Sequence, residues 1–236
     1  MPVESWSFGS GVVLRLPTWI GVGIFSCQPM DTINFLLALC LGLGLSAACG
    51  FRIFVPPFAV SLAGMQGVIE LSADWQWLAN PITAIALGIA TTIEVLAYFI
   101  PWVSNALDAV ELIAAPIAGM LLTASSLSMV GDIDPVLMWT VAAIVGGGTA
   151  ELVEGTTTLT RLVTASATGG LGNPVVATME LLSAAVLSLL AILAPVFALI
   201  LVLGLTIFCW RQVQRLWRKR QRTRSAADTS SLDSHS

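Results

Sequence analysis

Between residues 31 and 208 the chain has only two basic side chains, Arg52 and Arg161, and both stand in long apolar runs. The same stretch holds eleven acidic residues, so it has far too few charges to cover a soluble surface. Over all 236 residues, 56% are apolar and 10% charged, and the mean hydropathy is +0.89. A bilayer is therefore the expected solvent, and a soluble enzyme, a nucleic-acid binder and a secreted disulfide scaffold are excluded. The net charge of −4 hides a division: an acidic membrane body precedes a cluster of seven basic residues between Arg211 and Arg224.

The apolar runs predict an all-α, polytopic transmembrane bundle of about five spans. Residues 1–30 read as a poorly ordered extension. Arg15 and Pro17 interrupt their apolar run, no signal-peptide cleavage pattern follows, and Met30-Asp31 opens a better span. Residues 31–210 form the transmembrane domain, and 211–236 a basic, then polar, cytoplasmic tail. The run from Ile33 to Ala63 is about 30 residues, or about 45 Å of helix, more than a bilayer core needs. A break is expected where Gly50, Phe51 and Arg52 precede Pro56 and Pro57. Spans follow at 81–101, opened by Asn80-Pro81, and at 107–130. The stretch 136–167 is again too long and is expected to break at Gly146-Gly147-Gly148. Gly172-Asn173-Pro174 then opens the last stretch, 175–210.

Two segments look like copies. Each has a helix rich in small residues, an arginine, a Leu-x-Asn-Pro step at Asn80-Pro81 or Asn173-Pro174, and a later proline, Pro101 or Pro195. With a single span between them, the copies would run in opposite directions, the inverted repeat common in transporters. The alternative is a plain helix bundle with close contacts along small-residue faces such as Gly42, Ser46 and Gly50.

The run MDTINFLLALCLGLGLSAACGFRIFVPP, with GGLGNPVVATME and LSLLAILAP further on, resembles the family of bacterial membrane proteins known as domain of unknown function 4126. The resemblance covers roughly residues 31 to 208. It implies an integral membrane protein of several helices, in the bacterial cytoplasmic or thylakoid membrane, and implies no activity. It also implies an acidic or amide residue after the second Asn-Pro, held here by Glu180. A histidine expected near the second arginine helix is replaced by the segment Glu154–Thr158.

Charges at bilayer depth cost from about 3 to more than about 10 kcal/mol each, so they face a protein interior and pair. The candidates for an ion or solute pathway are Arg52, Glu94, Glu151, Glu154, Thr158, Arg161, Asn173 and Glu180, with Glu111 as a further intramembrane acid. On one helix, Glu151, Glu154, Thr158 and Arg161 make a polar stripe, so Glu154 is the expected partner of Arg161 and Glu151 the next. Glu94, Glu111 and Glu180, near helix ends, read as interfacial residues or as parts of a static packing network. Pro56, Pro57, Asn80, Pro81, Gly147, Gly172 and Pro174 mark the structural breaks.

The four cysteines have no CxxC spacing, the only histidine is His235, and phosphate-loop spacing is missing. No metal site, no cofactor and no enzyme is expected. The expected function is transporter-like or channel-like movement of an ion or small polar solute. The alternative is a structural or assembly factor without transport; a lipid-active enzyme ranks third. The bilayer is the expected partner, and Arg211–Arg224 suits anionic lipid or a docking protein. No nucleic acid is expected, and a homo-oligomer fits this class of protein.

Overall fold

The computed structural model describes residues 32–98, 100–131, 133–169, 172–204 and 207. The expected N-terminal extension, the basic tail, Cys27, Cys209 and His235 lie outside the described residues. Among the described residues all regular structure is helical. Among the described residues four helices are long and apolar enough to cross a membrane, and the number is five if a bent pair counts as one span.

Helix α1 (Thr32–Cys49) stops at Gly50, and α2 (Val55–Met65) starts with Pro56 and Pro57 in its first turn, where the missing N–H groups have no helical partner to lose. Gly67, with φ +68°, closes α2 in the left-handed conformation that glycine adopts freely. A 3-10 helix (Ala73–Ala79) meets α3 (Pro81–Ala97) at 61°, and the Asn80 side chain caps α3 by accepting from Ile82 N at 2.9 Å. Next come α4 (Pro101–Leu127) and α5 (Pro135–Val141), the latter capped by the Asp134 carboxylate, which accepts from the N–H groups of Val136 and Leu137. A π-helical turn (Ala142–Gly147) leads into α6 (Gly148–Thr168). Then follow α7 (Asn173–Leu193) and the short α8 (Pro195–Gly204).

The expected second break is absent. Pro135–Ser166 is one apolar helix of 32 residues, and the glycine triplet lies within or next to its π turn. Gly147 is a site of close approach there: a Cβ on it would stand 3.3 Å from the Pro116 carbonyl oxygen of α4. In an apolar bundle, packing against a neighbour replaces the side chain that glycine lacks, so the helix continues. Gly172 and Pro174, by contrast, do open α7, from the N-cap and the first turn.

Contacts along the helices set their directions. Phe58 packs on Gly88, and Ser61 donates to the Leu78 carbonyl at 2.6 Å, so α2 and α3 are antiparallel. Gly42 meets Thr123 of α4, while the Ser46 hydroxyl donates to the Gly119 carbonyl at 2.7 Å, so α1 and α4 are antiparallel too. α1 and α2 thus form a hairpin whose tip is Gly50–Phe54. α1 starts at the end of the bundle that holds Trp75, Trp77 and Trp139, and α2 runs back toward it. A 3.0 Å hydrogen bond between Ser72 and Ser128 ties the chain after α2 to the end of α4 there. α7 also runs toward this end, since Gly44 packs on Ala191.

The inverted repeat is not confirmed: of the two corresponding helix pairs, α3 and α7 run antiparallel as it requires, whereas the first pair does not. Gly42 and Gly146 both pack on Thr123, and Gly50 packs on Val153, so α1 and the α5–α6 helix are parallel. An axis in the membrane plane would make them antiparallel. The small-residue face Gly42, Ser46 and Gly50 is instead the seam along which α1 approaches α4 and α6.

The core is small and apolar, built on Leu41, Leu45, Leu122, Leu127, Leu187 and Ala150. Larger apolar side chains face outward. Ile82, Ile85, Ile89, Ile93 and Leu96 make an exposed stripe along α3, the surface expected of a helix against lipid.

Candidate functional site

The charged residues meet away from the tryptophan end. Glu94 is in the last turn of α3, with Tyr98 next after that helix. Asp108 and Glu111 lie in the first half of α4, Arg161 in the second half of α6, Glu180 in the first half of α7, and Arg52 at the hairpin tip. Arg161 and Glu180 are each seven residues from a helix end, about 10 Å along the axis, so the cluster lies nearer one end of the bundle than its middle.

Tyr98 is the centre. The Arg52 guanidinium carbon stands 3.7 Å from its ring centroid and that of Arg161 4.3 Å, so one aromatic ring faces two cations. Arg161 has every nitrogen engaged. Its Nε donates to both Glu180 oxygens, at 2.9 and 3.1 Å, its Nη2 pairs with Glu180, and its Nη1 donates to the Tyr98 hydroxyl at 2.9 Å and pairs with Asp108. The Tyr98 hydroxyl donates to Asp108 at 3.1 Å. Arg52 donates through Nη2 to the Ala177 carbonyl at 3.0 Å and to Glu180 at 3.5 Å. Glu180 therefore binds both arginines.

Three further acids complete the cluster. Glu94 accepts from the backbone N–H groups of Ile53 and Phe54 at 2.9 and 3.3 Å. A carboxylate thus sits on the unpaired donors and positive dipole end at the start of α2, which has no cap from its own chain segment. Glu154 is fully buried; its carboxylate accepts from the Thr158 hydroxyl at 2.9 Å, while the Thr157 hydroxyl donates to the Glu154 backbone carbonyl at 2.9 Å and lies 3.5 Å from the carboxylate. Glu111 is 2% exposed, and neither carboxylate oxygen has a hydrogen-bond partner.

Several expectations need correction. Arg161 pairs with Glu180 and Asp108, not with Glu154. Seven residues separate Glu154 and Arg161 along α6, about 10 Å, whereas helical neighbours that touch are three or four apart. Thr157 and Thr158 occupy those nearer positions and satisfy Glu154. Glu151 is exposed and outside the cluster. Glu94, Glu111 and Glu180 are buried among the helices, so their side chains belong to a network inside the bundle and do not reach outward from it. Asn173 opens α7, and its side chain is outside the described ones. Tyr98 and Asp108 were not candidates. Tyr98 was marked only as the one tyrosine of the chain, and Asp108 only by its place three residues before Glu111 on the same helix face.

Residues 39–215 match the family model described as Domain of unknown function (DUF4126). The chain belongs to the DUF4126 family. The matched region includes every residue of the Tyr98 cluster, together with the hairpin tip and the helices that frame them. No curated protein and no solved structure matches the chain.

Proposed function

We propose that this DUF4126 protein moves an ion or small polar solute across a membrane, and that the Tyr98 cluster is its binding site. The carrying observation is an imbalance: five carboxyl groups, Glu94, Asp108, Glu111, Glu154 and Glu180, are gathered in one cluster with two guanidiniums inside an apolar bundle, and only Asp108, Glu111 and Glu180 come within ion-pair distance of either. A network that served only packing would be expected to neutralise its charges, because unpaired charge in a low-dielectric interior is costly. An excess of acceptors next to a broken helix is the usual makeup of an intramembrane ion site. The basic residues Arg211–Arg224 follow the bundle in the chain, which supports the reading that the tryptophan end faces the cytoplasm.

A structural or assembly role is the second reading. It is favoured by Arg161, whose nitrogens are all satisfied in a manner suited to locking α3, α4, α6 and α7 together. Flux measurements in proteoliposomes across a panel of protons, alkali cations, halides and small neutral osmolytes separate the two. Selective flux that is lost in Glu111→Gln supports transport. A flat result across the panel supports the structural role.

A further inference from the structure

We infer that Glu111 is a proton-binding group, and that its proton governs whether Asp108 or Glu111 holds Arg161. This deepens the transport reading by naming the coupling ion, and it rests on that reading for its role in transport.

Each of the other four acids in the cluster has dedicated partners. Glu180 has both arginines, Asp108 has Arg161 and the Tyr98 hydroxyl, Glu94 has two backbone N–H groups, and Glu154 has two threonine hydroxyls. Glu111 makes no hydrogen bond and is almost completely buried; its polar neighbours are Arg161, with Nη1 at the 4.0 Å limit of an ion pair, and the side chains of Tyr98 and Glu94. The charged and titratable groups around it are Glu94 from α3, Tyr98 just after that helix, Asp108 from its own helix, Glu154 and Arg161 from α6, Glu180 from α7 and Arg52 from the hairpin tip. Carboxylates outnumber cations among them. A bare carboxylate there would be strongly disfavoured, and a bound proton removes the charge.

The alternative neutraliser is a metal cation. Among the described residues no three His, Cys, Asp or Glu side chains are grouped so that they could hold one. A proton needs only one carboxyl oxygen.

Release of the proton has a defined consequence. The carboxylic O–H breaks, the proton passes to water, and the electron pair stays on the carboxylate. The cation nearest to that new charge is Arg161, whose Nη1 is 4.0 Å away. This same nitrogen holds Asp108 and the Tyr98 hydroxyl. Ionised Glu111 therefore competes with Asp108 for Arg161. Asp108, with its side chain 20% exposed, is the group that water reaches from outside. Proton exchange at Glu111 thereby rearranges the pairing that joins α4 to α6.

The test is an infrared pH titration of the full chain in lipid nanodiscs, following the carbonyl stretch of protonated carboxyl groups. Wild-type protein should show a protonated-carboxyl band that declines as pH rises. In Glu111→Gln part of that band should be missing, and in Glu111→Asp it should return at a shifted position. Glu70→Gln, an exposed change, should leave it intact. Glutamine has the shape of the neutral acid, so Glu111→Gln should keep the wild-type melting temperature. Identical titrations of wild type and Glu111→Gln overturn the proposal, and so does a marked loss of stability in Glu111→Gln, since that would make the carboxylate the native form. The readout does not involve flux: a titrating Glu111 with no flux sinks transport alone, whereas flux with a silent Glu111 sinks the proton site alone.

Discussion

Arg161 of α6 and Glu180 of α7 form a two-pronged ion pair, with the Arg161 Nε 2.9 and 3.1 Å from the two carboxylate oxygens and the Nη2 also bound. Both side chains are buried, at 6% and 5% exposure, so neither charge has water as a substitute partner. Removing one member of a buried pair of this kind costs about 3–5 kcal/mol, because the other charge is left uncompensated. Glu180→Ala should therefore lower the melting temperature more than Glu154→Ala, whose threonine partners are neutral. The double change Arg161→Ala/Glu180→Ala should recover part of the loss. Thermal unfolding of the four proteins in detergent checks this, and a Glu154→Ala loss equal to or larger than that of Glu180→Ala would contradict it.

Glu94 stabilises the hairpin tip through two backbone N–H groups. Glu94→Ala orphans both donors at a cost of about 1–3 kcal/mol each, whereas Glu94→Gln keeps one accepting oxygen. The alanine variant should melt well below the glutamine variant. Equal melting temperatures would mean that the tip finds other acceptors.

The hairpin places the start of α1 at the tryptophan end of the bundle, with the loops before α3 and α5. In a background with the native cysteines replaced, single cysteines at Ile33, Asp74 and Asp134 should react with a membrane-impermeant thiol reagent from one face of oriented vesicles. A cysteine at Ile100, between α3 and α4, should react from the other face. Labelling at Ile33 from the same face as Ile100 would show α1 entering from the opposite end.

Close packing at the seam predicts a contrast between two glycines. A Cβ on Gly119 would lie 2.7 Å from the Ala150 Cβ and 2.9 Å from the Gly146 carbonyl oxygen, while one on Gly148 meets nothing within 4 Å. Gly119→Val should destabilise by about 1–3 kcal/mol or more through overpacking. Gly148→Ala should be neutral or stabilising by up to about 1 kcal/mol, since alanine is the better helix former. Denaturation of both variants in the same detergent measures the difference.

The membrane character, the helical class, the break before Pro56-Pro57 and the Asn80 and Gly172-Pro174 helix starts were legible from the sequence, because they follow from local chemistry. Apolar run length sets what can span a bilayer, and proline and asparagine act within one turn of where they stand. The burial of Arg52 and Arg161 was legible for the same kind of reason, since neither has a polar loop beside it. Their partners were not. Glu180 reaches Arg161 from the next helix, and Tyr98 and Asp108 reach it from 63 and 53 residues away in the chain. Periodicity orders residues on one helix and carries no information about which faces of two helices meet. The glycine triplet shows the same limit in reverse. Taken alone, Gly146-Gly147-Gly148 reads as a break, but α4 packs against this stretch closely enough at Pro116, Gly119 and Thr123 for the helix to run on as a π turn. Tertiary packing decided the continuity of that helix, the parallel course of α1 and α6, and the gathering of five acids around two arginines, because each depends on contacts between segments distant in the chain.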